Sequence, residues 1–189
     1  NMSGQIDTMI DRARLQAEDA RSLVSAHAAT FLARPTEDRW SAGEQIEHIS
    51  LTDRPYLEVF DPAIRAARIR GFLGDGPFRG GTLGNWFARS MAPPVKRRMK
   101  TFKKLSPPPD LEPERVVQGF EKVRAELVAS LESARGVDLD RAKLRSPHLK
   151  LLKMPLYSAY EVVLTHGDRH LWLAREILEG SLSSPPPAP

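Results

Sequence analysis

Cysteine is absent from the 189-residue chain, which excludes a disulfide scaffold, a thiolate zinc cluster, an iron–sulfur site and a cysteine nucleophile together. Any thiol chemistry must use a thiol brought from outside. No run approaches the roughly 18 consecutive apolar residues that span a bilayer, and the N-terminus has no basic region followed by an apolar stretch and a small-residue cleavage site. The expectation is a cytoplasmic protein with no membrane partner. Net charge is also small, at +4 from 28 basic and 24 acidic residues, so the balance does not imply nucleic acid. What is present is ordinary for a folded chain: 41% hydrophobic and 28% charged residues, enough for one domain with its own core.

Helical periodicity dominates that composition. Ile6, Ile10, Ala13, Ala17, Ala20, Val24, His27 and Phe31 alternate at spacings of four and three, one buried face of a long helix that closes before Pro35. Ser41-Ala42-Gly43-Glu44 has the Ser-x-x-Glu form in which two side chains satisfy each other's orphan backbone donors, so a second helix starts at Ser41. Its apolar side carries Ile46, Ile49, Tyr56, Leu57 and Phe60, with a kink or restart expected at Pro55 and a further turn from Asp61-Pro62 to Ala67. Val116, Phe120, Val123, Leu127 and Leu131 mark a third long helix from Pro113 to near Gly136. Ser158-Ala159-Tyr160-Glu161 reads as a second capping box, opening a last helix that runs to about Gly180.

Between the second and third of these helices lies a long connection. Six glycines and a proline punctuate Gly71–Gly84, Trp86, Phe87 and Met91 fit a short helix, and residues 96–104, KRRMKTFKK, read as a short basic amphipathic helix on the surface. Residues 137–157 show no strand alternation, and SLSSPPPAP at 181–189 is a proline-rich tail expected to be disordered. The fold class that follows is all-α, a four-helix bundle with a long crossover insertion between helices 2 and 3, forming a single domain over 2–180.

The last helix carries the chemistry. Its inward stripe is Val163, His166, His170, Leu173 and Ile177, with two histidines four apart and therefore one above the other on the same face. An unpaired buried polar group costs roughly 1–3 kcal/mol, so this pair fits either core-edge histidines bonded to neighbours or two ligands to one divalent ion. Gly167 stands where a His-Glu-x-x-His metalloprotease needs its base, and no Glu-x-x-His pair for a di-iron site is present. His48, about one turn into the second helix beside Glu44 and Thr52, is the candidate third ligand, although it lies next to the main apolar stripe and periodicity alone does not select it.

Two segments resemble a known family. RWSAGEQIEHI at 39–49 is similar to the Trp-Ser-x-x-Glu-x-x-x-His opening of the second helix in the DinB superfamily, the damage-inducible four-helix-bundle proteins that include metal-dependent thiol transferases. YEVVLTHGDRHLWLAREI at 160–177 resembles that superfamily's closing His-x-x-x-His helix. The resemblance covers most of residues 3–180 and departs at the 71–110 insertion and at Pro55. It implies a mononuclear site with His48, His166 and His170 holding one nickel, zinc or iron ion, often in a homodimer. Relatives of this pattern include bacillithiol and mycothiol S-transferases and mycothiol-dependent maleylpyruvate isomerase.

On this resemblance the function expected is transfer of a low-molecular-weight thiol to an electrophilic small-molecule substrate, or metal-dependent hydrolysis, because a dipositive ion acidifies a bound thiol or water. Alternatives are a non-catalytic metal-binding stress protein and a basic helical module that binds nucleic acid through 96–104. Glu44 is a candidate proton acceptor or partner behind His48, although a capping-box role alone explains it. His27 reads as a satisfied core histidine and His148 as a solvated loop residue. Trp40 fits a hydrophobic staple, and Trp172 an exposed aromatic at a dimer surface or against the insertion.

Overall fold

The computed structural model describes residues 4–95, 103–149 and 151–180. Four long helices form the bundle: α1 (Gly4–His27), α2 (Ala42–Ile69), α4 (Pro113–Ser133) and α5 (Leu156–Leu178). Helices α1 and α2 each pack on both α4 and α5. The short α3 (Thr82–Met91) lies against α5, and a 3-10 turn follows at Lys103–Leu105. The expected all-α bundle with its crossover is therefore present. The basic helix expected over 96–104 falls largely outside the described residues, as does the tail at 181–189.

The start of α2 has the geometry its sequence announces. Ser41 accepts a hydrogen bond from the Glu44 N–H and the Glu44 carboxylate accepts one from the Ser41 N–H, a complete capping box. Contrary to expectation, neither Pro55 nor Pro62 interrupts this helix, which is continuous for 28 residues. Both prolines stand off the buried line Asp53, Tyr56, Phe60, Ile64 and Ala67. The hydrogen bonds they delete are thus on the outer side of the helix, while packing of the inner side keeps it from restarting.

Two further expectations are corrected. Residues 143–155 contain a small antiparallel hairpin, β1 (Lys143–Arg145) with β2 (Lys153–Pro155), in which Leu144 faces Met154. Three-residue strands are too short for alternation to register in the sequence. Helix α5 begins at Leu156 and not at Ser158. Its first donors are already satisfied: the Leu156 N–H reaches the Ala142 carbonyl at 2.9 Å and the Tyr157 N–H that of Leu139 at 3.2 Å, so no side-chain cap is needed. Ser158 instead faces α3, accepting from the Gly81 N–H and donating to Asn85 Oδ1. A Cβ at Gly84 would lie 2.7 Å from that of Ser158, so glycine is what lets α3 approach α5.

The apolar interior is split in two. One cluster joins Ile10, Ala13, Tyr56, Phe60, Leu127, Leu131, Tyr160 and Leu164, with Phe60 stacked on Tyr160 at a centroid distance of 4.1 Å. The other joins Ala20, Phe31, Ile46, Ile49, Phe120, Leu171 and Ala174. Between them each of the four long helices contributes polar groups: Gln16 from α1, Ser50 and Asp53 from α2, Arg124 from α4, His166 and His170 from α5.

Candidate metal centre

Within this polar layer the three predicted histidines meet. One ligating nitrogen from each of His48, His166 and His170 lies within 4.8 Å of the others, and the ring centroids are 4.5 to 5.1 Å apart. Residues 41–44 fix the start of α2 and so place His48. The i, i+4 spacing on α5 stacks the other two, as read from the sequence. Among the described residues no carboxylate joins the group.

Hydrogen bonding fixes two rings. His48 Nδ1 donates to the Leu105 carbonyl at 2.8 Å and His170 Nδ1 to Gln45 Oε1 at 2.6 Å. Both acceptors are carbonyl oxygens, so each ring carries its proton on Nδ1 and keeps the Nε2 lone pair for a ligand. Burial pushes the pKa of all three imidazoles down, and the charges of neighbouring basic groups push the same way. His166 and His170 fall well below the ordinary value. Neutral imidazole is the form that binds metal.

The donor set therefore fits a transition metal on its own chemistry: three neutral nitrogens, two with their protons tied away from the common point. His166 Nδ1 is buried and has no hydrogen-bond partner among the described residues, although the residue keeps some accessible surface.

Glu44 is drawn into a different role at close range. Both of its oxygens are engaged, by the Arg34 guanidinium and by the Ser41 N–H. These contacts hold its carboxyl below the usual range against the opposing effect of burial. His148 differs from its expectation as a solvated loop residue. It is half-buried, its Nε2 lies 2.7 Å from the Thr52 carbonyl, and its ring meets Tyr56 edge-on. Trp40 sits against the site, its ring centroid 4.9 Å from that of His48. His27 ends α1 half-buried, and Trp172 shares a groove with Pro93 of the insertion.

Sequence reasoning missed four members of this neighbourhood. Gln45 and Leu105 carry no signal, since an amide and a backbone carbonyl are recognisable only once the fold brings them near. Asp53 and Arg124 did leave a trace: Asp53 occupies an apolar-stripe position, four after Ile49 and three before Tyr56, and Arg124 adjoins Val123 in the stripe of α4. They form an ion pair with each side chain 1% exposed. Burial pushes the Asp53 carboxyl up to about 6, against the pull of Arg124. An open groove of about 710 Å³ along α1 and α5 contains none of the three histidines, and an open concavity without convergent donors is a weaker site than the trio.

A helical bundle with three histidines gathered inside it defines a class of candidate metalloprotein. The sequence model of the DinB superfamily matches residues 12–174, and the chain belongs to that superfamily. No curated protein and no solved structure matches it.

Proposed function

We propose that this chain is a metal-dependent enzyme that transfers a low-molecular-weight thiol to an electrophilic small molecule. The observation that carries the reading is the convergence of three neutral imidazoles with no carboxylate in the group. His48, His166 and His170 would hold the ion, nickel, zinc or iron. Three protein ligands are the number that catalytic sites use when a further position is kept for substrate. Bound there, a divalent ion supplies Lewis acidity that brings the pKa of a thiol or water toward neutrality.

The chain's own residues do the rest. Leu105 and Gln45 orient two of the rings, and Trp40 covers His48 with an apolar face. Glu44 acts on the site by anchoring the first turn of α2, which carries Gln45 and leads into the turn of His48, and not as a free base. Because the chain has no cysteine, the sulfur must arrive with a cosubstrate. In the proposed reaction that sulfur bonds to an electrophilic carbon and the thiol proton is released. With an alkyl halide the halide departs with the bonding pair; with an epoxide the ring oxygen keeps that pair and takes up a proton; with an activated alkene the π pair moves to the neighbouring carbon, which takes up a proton. The reading takes the protein as a cytoplasmic homodimer; among the described residues no helix is long and apolar enough to cross a membrane, and sedimentation of the pure protein checks the dimer.

The test is a screen of alkyl halides, epoxides and activated alkenes with zinc- or nickel-loaded protein, each with and without glutathione, mycothiol or bacillithiol. Turnover that needs both thiol and metal, and is lost in His48→Ala, supports thiol transfer. Ester hydrolysis without thiol assigns the site to hydrolysis instead. Metal binding with no turnover in either screen leaves a metal-stabilised scaffold.

A further inference from the structure

Six buried polar atoms lack hydrogen-bond partners among the described residues. One, Gln16 Oε1, belongs to an amide on the α1 side of α5 whose nitrogen donates to the Leu164 carbonyl and to Asp168; the other five are Ser50 Oγ, Asp53 Oδ1, Arg124 Nε, Arg124 Nη1 and His166 Nδ1. These five belong to α2, α4 and α5, at the level where the two apolar clusters part. Orphaned polar atoms are scarce inside folded proteins, and each needs an explanation. Here the set is complementary. The two arginine nitrogens are donors, Asp53 Oδ1 is an acceptor, the Ser50 hydroxyl is both, and His166 Nδ1 is a donor in one of the two neutral tautomers. Arg124 is also near enough for its charge to act on His166.

The three histidines are treated unequally. His48 and His170 each have a direct acceptor for Nδ1–H, whereas His166 has none. Metal-ligating histidines almost always give their second nitrogen to a carboxylate, a carbonyl or water. The carboxylate oxygen left over is Asp53 Oδ1, on a side chain whose other oxygen is held by Arg124 Nη2. Buried water joins such groups when direct contact is missing.

We propose that Asp53 is the positioning partner of His166, accepting its Nδ1–H through an ordered internal water, with Arg124 clamping the carboxylate. The inference rests on the reading of the trio as a metal centre, since only a ligand ring needs its second nitrogen anchored. It gives the Asp53–Arg124 pair a reason to exist. Such a pair is no aid to stability by itself, because desolvation of the two charges offsets their attraction and apolar replacements of similar volume are commonly tolerated.

Nitrogen-15 spectroscopy of the histidine rings tests this in the whole, metal-stripped protein at pH 7.5. His166 should be a single tautomer, protonated on Nδ1 with slow exchange of that proton; protonation on Nε2 instead, or rapid exchange, overturns the proposal. This readout needs no variant and no metal, so it stands even if the unsubstituted protein binds no zinc, a result that would overturn the proposed function alone. In the double variant Asp53→Leu with Arg124→Met, the His166 ring should lose its tautomer preference. Zinc affinity, measured by chelator competition, should fall about 10- to 100-fold. Asp53→Asn, which keeps an oxygen acceptor, should retain the Nδ1–H form. An unchanged tautomer and unchanged zinc affinity in the folded double variant would reduce Asp53 and Arg124 to a structural pair.

Discussion

The two apolar clusters and the polar layer between them are built from the same four helices by opposite rules. In the clusters, large side chains such as Phe60, Phe120, Leu127 and Tyr160 are fully enclosed, and the Tyr160 hydroxyl finds Ser130 at 2.7 Å. In the layer, His48, His170, a carboxylate and a guanidinium are buried beside the partly exposed His166, and several atoms of the layer have no hydrogen-bond partner among the described residues. Apolar burial stabilises in proportion to area, roughly 25 cal/mol per Å², whereas a buried unpaired polar group costs about 1–3 kcal/mol. The clusters therefore hold the bundle together, and the layer is retained at a cost to stability. That cost makes sense where the layer binds something.

Substitutions can set the two regions apart. The largest effect belongs to the cluster: Phe60→Ala removes the stack on Tyr160 and should lower unfolding free energy by roughly 3–5 kcal/mol. The zinc affinity of the folded fraction should stay unchanged, as chemical denaturation and chelator competition would show. In the layer the pattern reverses. Gln45→Leu deletes the acceptor of His170 Nδ1–H and should weaken zinc binding about 10- to 100-fold, by the same competition assay, while the denaturation midpoint moves little. If Gln45→Leu unfolds the chain and leaves zinc affinity intact, the division of labour is wrong.

A smaller and more graded effect is expected from pH in the metal-free protein. His166 and His170 have pKa values depressed well below the ordinary one, so near pH 6.5 the unfolded chain takes up protons that the folded chain refuses. Stability is then fully present above about 6.5 and falls as pH drops below it, by about 1.4 kcal/mol per pH unit for each such histidine. Asp53, raised to about 6, and Glu47, raised by burial, work in the opposite sense, but these two carboxyls stand against four lowered imidazoles, His48, His148, His166 and His170, so the net slope is downward. Urea unfolding at pH 7.5 and 5.5 with chelator present measures it. The smallest effect is at the edge of the layer: Ser41→Ala removes half of the capping box and should cost about 1 kcal/mol, read as a shift in the urea midpoint.

The sequence revealed those parts of the molecule that repeat or that pair locally. Four helices were legible because their buried faces recur every three to four residues, and Ser41 with Glu44 announced the start of α2. His166 and His170 were legible as a pair because they share one helix. His48 was not selected by its own periodicity and needed the family resemblance, because its distance from α5 is closed only by tertiary packing. The same limit hid Gln45, Leu105 and the turn to His148. Pro55, Pro62 and Ser158 misled for a related reason: local rules predict a break or a cap, and tertiary neighbours, among them the Leu139 and Ala142 carbonyls that take the first donors of α5, overrule them.

Elemental analysis of the purified protein, as isolated and after zinc loading, bears most directly on the trio as a metal centre. The account predicts one transition-metal ion per chain, lost in His166→Ala while the circular dichroism of the bundle stays helical. A wild-type chain that retains no metal after loading, or a His166→Ala chain that retains as much as wild type, would contradict it.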